Sequence, residues 1–173
     1  MTSLPPDASI APYVHREVTL VFGGRRLVFA TSLDLFSSHQ VDVGSQLLLR
    51  TLEPLLTARS AEAAVLDIGC GYGALGVALS ALPGVRSAHL VDRDALAVDF
   101  ARTNAASNGL ADRVTAAAGL GLDEVLRENP ATRYDLVVSN VPGRAGAPVI
   151  EAMLLDPLGV LAAGGLVAVV VIE

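Results

Sequence analysis

The 173-residue chain is 52% hydrophobic, has a formal net charge of −6, and contains only 4% aromatic residues and no Trp. This suits one folded domain with a large core and excludes a disordered chain or a broad aromatic stacking platform. All 12 basic residues are Arg, against 18 acidic ones, which disfavours a stable nucleic-acid complex and leaves a transient encounter open.

Residues 1–17 read as a tail. Its start, "MTSLPPDASIAP", lacks a basic stretch followed by an apolar run, so no signal peptide is expected. No apolar run approaches the roughly 20 residues of a spanning helix, so no membrane is expected. The single Cys70 excludes an internal disulfide and a multi-thiolate metal site. His15, His39 and His89 are scattered without ligand spacing, so no metal is expected either. The expectation is a reduced, cytoplasmic protein.

"VTLVFGGRRLVFAT" (Val18 to Thr31) places two β-rich runs around Gly23-Gly24 and predicts a hairpin. "VDVGSQLLLRTLEPLL" (Val41 to Leu56) predicts a helix opening near Asp42, with Pro54 disturbing its last turns. From Ala63 on, the strand-like runs "AVLDI", "SAHLVD", "VTAAA", "YDLVVS" and "GLVAVVVI" alternate with helical patterns. These are "GALGVALSAL", "DALAVDFARTNAASN", "LDEVLRE" and "PVIEAMLLDPLGVLA". Such alternation predicts an α/β fold, a parallel sheet covered by helices on both faces. The last run is apolar on both faces, as a central strand would be, yet the chain stops there. The fifth-strand edge is therefore expected to be covered by another chain or by a segment missing at the carboxyl end.

The strongest local signal is "VLDIGCGYGALG" (Val65 to Gly76), in which a buried strand runs into Gly69, Gly71 and Gly73 and then a helix. Glycine admits positive φ and close approach of a ligand to the backbone. Asp92 ends the next strand, where a carboxylate suits the two hydroxyls of a ribose. A tight turn beside a solvated Asp is the plainer alternative, but the combination favours ligand binding. Gly71-Tyr72-Gly73-Ala74-Leu75-Gly76 matches the GxGxxG dinucleotide pattern, which keeps a nicotinamide oxidoreductase among the alternatives. Asp67, two residues before Gly69, would repel a pyrophosphate and attract an ammonium. This favours S-adenosylmethionine, which carries an amino-acid end and no phosphate. Cys70 reads as a small filler, because no His accompanies it, and Tyr72 as a lid over the ligand or a helix cap.

In order and spacing, "VLDIGCGYGALG", "LVDRDALAVDFARTNAASNGL" and "YDLVVSNVPGRAG" resemble the motifs of class I S-adenosylmethionine-dependent methyltransferases. The upstream "LFSSHQVDVGSQLLL" (Leu35 to Leu49) is similar to the small-domain family containing the ribosomal RNA guanine-N2 methyltransferases. The resemblance covers residues 18–173 and implies a Rossmann-like fold. Residues 18–60 would form the hairpin and lead-in helix and 61–173 the core, with sheet order 3-2-1-4-5-7-6 and strands 6 and 7 missing. It further implies that Asp67, Gly69, Cys70 and Gly71 line the methionine end. Asp92 would take the ribose hydroxyls, Arg93 would flank the adenine, and Asn104 would be structural. Phe36 and Asp42 would close over the methionine end or anchor the hairpin. After strand three the family usually carries an Asp for the adenine amino group; Gly119 and Leu120 stand there here, a loss worth about 0.5–1.5 kcal/mol.

At the end of strand four the family has Asn-Pro-Pro followed by an aromatic or apolar residue. This chain has Asn140, Val141, Pro142 and Gly143. The Asn140 side-chain oxygen and the Val141 carbonyl would accept the two N–H groups of an exocyclic amine and aim its lone pair at the methyl carbon. Asn140 would also border the cofactor. Val141 replaces the proline that stiffens the family's turn, so the loop would be looser, while Pro142 is kept; Gly143 and Arg144 would contact substrate, although Gly143 offers no ring to stack. The resulting expectation is a methyltransferase acting on an exocyclic amine of ribosomal RNA guanine. The alternatives are a non-catalytic or truncated cofactor-binding module, or a methyltransferase for a protein glutamine or small-molecule amine.

Overall fold

The computed structural model describes residues 9–128, 130–142 and 146–172. Strands β1 (Arg16–Phe22) and β2 (Arg25–Thr31) form the expected hairpin, in antiparallel register from Arg16↔Thr31 to Phe22↔Arg25. Gly23 and Gly24 turn it at φ 57° and 70°, left-handed values that favour glycine. The hairpin is a sheet of its own. It docks on helix α3 (Ala95–Ser107) through two asparagines that continue the backbone ladder of β2. Asn104 Oδ1 accepts from Ala30 N–H at 2.7 Å, and its Nδ2 donates to the Ala30 and Tyr72 carbonyls. Asn108 does the same for Val28 N–H and C=O. Asn104 is thus structural, as the family resemblance implied.

The main sheet comprises β3 (Ala63–Ile68), β4 (Val85–Asp92), β5 (Val114–Ala118), β6 (Tyr134–Pro142) and β7 (Leu161–Ile172). All pairings are parallel, in the order β5-β4-β3-β6-β7. Counted within the sheet this is 3-2-1-4-5, the order expected for a Rossmann-like methyltransferase. Two further strands were expected to be missing. Counted along the whole chain, however, a sixth and a seventh strand are present as β6 and β7, because the hairpin supplies the first two. β7 lies at the sheet edge, with Leu166 and Val171 about half exposed.

Every β3 residue is buried, because apolar helices cover both faces. On one face, α1 (Val43–Thr57), α2 (Ala74–Ser80), α3 and the hairpin pack a large core with Val65, Leu90 and Val138. On the other, α4 (Asp123–Glu128), α5 (Ala147–Leu155) and a 3-10 turn close a smaller core around Leu66, Val91 and Val137. Two boundaries differ from expectation. α1 continues through Pro54 to Thr57; the proline forfeits one donor close to the helix end while Leu52 and Leu56 stay buried on its core face. The last predicted helix stops at Leu155, and Pro157 belongs to a separate 3-10 turn over Asp156–Val160. No helix among the described residues is long and apolar enough to cross a membrane.

Candidate functional site

The polar residues singled out in the sequence gather at the carboxyl ends of β3, β4 and β6, beside the point where the strand order reverses, the usual ligand crevice of an open parallel sheet. After β3 the chain turns through Gly69, Gly71 and Gly73, all at positive φ (71°, 54° and 90°). A side chain at Gly71 would meet nothing within 4 Å, so the loop is open to solvent there. Gly76 is required for a different reason: a Cβ would come within 2.6 Å of Leu90 Cδ1 and 3.1 Å of Asp67 Oδ2.

Four of the loop's backbone donors are committed. Gly69 and Cys70 N–H both donate to the Val91 carbonyl, Gly73 N–H to the Cys70 carbonyl, and Gly71 N–H to Asp92 Oδ2 at 2.8 Å. A pyrophosphate is held by free backbone N–H groups. This loop offers four spent ones, with Asp67 and Asp92 at the adjoining strand ends. The spent donors and the two carboxylates count against a dinucleotide pyrophosphate here.

Asp67 is 1% exposed, and its Oδ2 accepts from Gly76 N–H at 2.9 Å. Its Oδ1 is buried with no hydrogen-bond partner. Burial pushes the carboxyl up to about 7, Asp92 adds to the rise, and the Gly76 N–H opposes it. An orphaned carboxylate oxygen of this kind is costly unless a donor, best of all a cation, reaches it. Asp92 is half-buried, with Oδ2 on Gly71 N–H and Oδ1 on Asp94 N–H. Each oxygen retains lone-pair capacity for a hydroxyl donor. This pair of acceptors fits a ligand with an ammonium and a vicinal diol.

Cys70 is buried, and burial followed by the charges of Asp67 and Asp92 pushes its thiol up, which matches a filler rather than a nucleophile. Tyr72 is also buried, against the edge of Phe29 at 6.0 Å between ring centroids, and its hydroxyl has no partner. Gly119 N–H donates to the Asp92 carbonyl and closes the end of β5. Arg93 is exposed and so is the side chain of Leu120. Phe36 is likewise exposed.

Asn140, Val141 and Pro142 were expected at the end of the fourth sheet strand, in a turn that leads to the acceptor. They are the last three residues of β6, which outruns β3 and is paired there with Val170, Val171 and Ile172 of β7. Strand alternation sends Ser139 to the other face, where its hydroxyl donates to the Ile68 carbonyl. Asn140 faces the start of α1: its Nδ2 donates to Asp42 Oδ1 at 2.8 Å and to Ser45 Oγ at 3.0 Å. Val141 is fully buried. Gly143 and Arg144, the expected substrate contacts, lie outside the described residues. Sequence reasoning did not find Ser45, because its link to Asn140 spans 95 positions.

Residues 26–173 match the family described as the methyltransferase small domain. The protein YbxB of Bacillus subtilis is 31% identical over 125 residues, 72% of this chain and 58% of that protein. Ribosomal RNA small subunit methyltransferase C of Klebsiella pneumoniae is 41% identical over 121 residues, 69% of this chain and 32% of that enzyme. Among solved structures, the 16S rRNA N2 methyltransferase of T. thermophilus, in complex with AdoMet and guanosine, superposes with a TM-score of 0.79. Its identity is 25%, and the match covers 91% of this chain and 42% of that one. The chain thus spans between about a third and three fifths of the length of these relatives.

Proposed function

The chain belongs to the methyltransferase small domain family, and on that premise we propose that it is an S-adenosylmethionine-dependent N-methyltransferase whose acceptor is the exocyclic amine of a ribosomal RNA guanine. One observation carries this reading. A buried carboxylate with an unpartnered oxygen, Asp67, and a carboxamide held only by its nitrogen, Asn140, stand at the same end of one sheet. The first suits the ammonium of the cofactor and the second the N–H of an acceptor.

When bound, S-adenosylmethionine supplies a methyl group activated by its sulfonium. Asp67 Oδ1 would hold the ammonium, and Asp92 would take the ribose hydroxyls beside the open face of Gly71. Gly69 and Cys70 would line the methionine end, with Gly119, Leu120 and Arg93 toward the adenine. The lone pair of a guanine amine is delocalised into the ring, so the amine is a weak nucleophile. Asn140 Oδ1 would accept one of its N–H bonds and hold the lone pair toward the methyl carbon; the Val141 carbonyl, buried in this structure, would have to be uncovered to accept the other. Val141 in place of a proline keeps that carbonyl, and pairing with β7 supplies rigidity that a proline would otherwise give. Catalysis on this account is orientation and electrostatics.

The experiment is a labelled-methyl assay on ribosomal RNA, total protein and small metabolites in parallel. The expected result is label at guanine N2 in the RNA, slowed about 100- to 1,000-fold but still measurable in Asn140→Ala. The net charge of −6 favours a second reading, in which the acceptor is a protein glutamine or a small-molecule amine. Label confined to those pools would establish it and overturn the RNA assignment.

A further inference from the structure

We infer that Asp42 and Ser45 are positioning residues for methyl transfer: they fix the Asn140 carboxamide with its nitrogen toward α1 and its oxygen toward the acceptor. The inference rests on the proposed function and extends it to two residues on a different element.

The argument starts from what a carboxylate can do. An ionised Asp only accepts hydrogen bonds, so the terminal Asn140 atom 2.8 Å from Asp42 Oδ1 must be the NH2 group. The same nitrogen lies 3.0 Å from Ser45 Oγ, so both of its hydrogens are used. Among the described residues nothing donates to Asn140 Oδ1. The carboxamide therefore has one face tied to the protein and one acceptor left for a ligand. A neutral partner at position 42 would not enforce this, because an amide can rotate by half a turn and exchange donor for acceptor.

Asp42 is itself held. It is the N-cap of α1, and the same Oδ1 accepts from Ser45 N–H at 3.0 Å. Helix α1 is anchored in the core by Leu48, Leu49, Leu52 and Leu56. The orientation of a β6 side chain is thus set by a helix nearly 100 residues earlier. The negative charge on Asp42 also draws on the amide hydrogens, which polarises the group and strengthens Oδ1 as an acceptor. The buried Tyr72 is the aromatic neighbour that feels this charge, which raises its hydroxyl pKa after the larger effect of burial.

The test uses Asp42→Asn and Ser45→Ala, with Asp42→Ser as a variant that keeps a helix cap. Single-turnover methyl transfer to deproteinised small-subunit ribosomal RNA is measured beside S-adenosylmethionine affinity. Asp42→Asn is expected to slow transfer about 10- to 100-fold, the scale of a misplaced reacting group, with cofactor affinity unchanged. In an Asn140→Ala background the same change is expected to have no further effect. Equal slowing in both backgrounds, or no slowing in either, overturns the inference. A second readout needs no activity: the Asn140 side-chain NH2 protons, observed by NMR, are expected to exchange slowly in the parent chain and quickly in Asp42→Ser. Fast exchange in the parent overturns the positioning contact. Slow exchange without methylation of any RNA would uphold the contact and overturn the proposed function instead.

Discussion

Asp67 and Gly76 are joined by a 2.9 Å hydrogen bond from the Gly76 N–H to Asp67 Oδ2, while the other oxygen of the same carboxylate has no partner. The pair holds a charge-bearing group in the core, half satisfied by the protein. Its folded pKa of about 7 lies above the ordinary value of 3.8, so between these limits the folded state binds more protons than the unfolded one. Stability is fully present below the unfolded value and falls as pH rises toward 7, by an amount on the order of a few kcal/mol. Asp67→Asn removes the titration. Urea midpoints of the ligand-free protein at pH 4.5 and 8 are expected to fall with pH in the parent and to stay level in the variant. Parallel slopes would contradict this origin of the pH dependence.

Gly76→Ala places a Cβ 2.6 Å from Leu90 Cδ1 and against Asp67 Oδ2. Leu90 is fully buried and cannot retreat into solvent. The expected cost is about 1–3 kcal/mol of stability, together with weaker ligand binding because Asp67 is displaced. Chemical denaturation reads the first effect and calorimetric titration the second.

Asn104→Ala deletes three hydrogen bonds at once, leaving the Tyr72 carbonyl unpaired in the interior and the half-buried Ala30 N–H without its acceptor. A loss of about 2–4 kcal/mol is expected, since each buried unpaired group costs about 1–3 kcal/mol. Hydrogen exchange at Ala30 should accelerate more than exchange in β3, because the hairpin loses its seam to α3 while the main sheet keeps its own ladder.

Asp135 supplies a contrast at the opposite end of the sheet. It pairs with Arg59 at 2.8 Å and Arg86 at 3.3 Å, and accepts from Ala64 N–H at 2.9 Å. Asp135→Ala is expected to cost about 1–2 kcal/mol, mostly through the Ala64 contact, because partly exposed ion pairs contribute little. Cofactor affinity should be unchanged. A variant that lost both would show that stability and site are not separable here.

The parts of the fold carried by local pattern were legible in the sequence. The five sheet strands, the hairpin at Gly23-Gly24 and the glycine loop each depend on residues within a dozen positions. Asp67 was legible as a carboxylate beside the glycine turn, the position on which the proposed ammonium contact rests. The commitment of the loop's N–H groups was not legible, since it depends on how Val91 and Asp92 of β4 meet the turn. Nor was the strand character of Asn140 and Val141, which comes from β7 running alongside. Asp42 was visible as a helix start, but its hold on Asn140 is a tertiary contact across 98 positions. Pro54 misled because the rule against proline in helices weakens near a carboxyl terminus anchored by Leu52 and Leu56.

Calorimetric titration of the folded chain with S-adenosylmethionine at pH 7.5, for the parent and for Asp67→Asn, tests the central claim most directly. The parent is expected to bind one equivalent with micromolar affinity, about −8 kcal/mol. The variant should bind about 10- to 100-fold more weakly, as suits the loss of a charged hydrogen bond. Absence of binding by the folded parent, or equal affinity in the two proteins, would contradict the assignment of this end of the sheet to the cofactor.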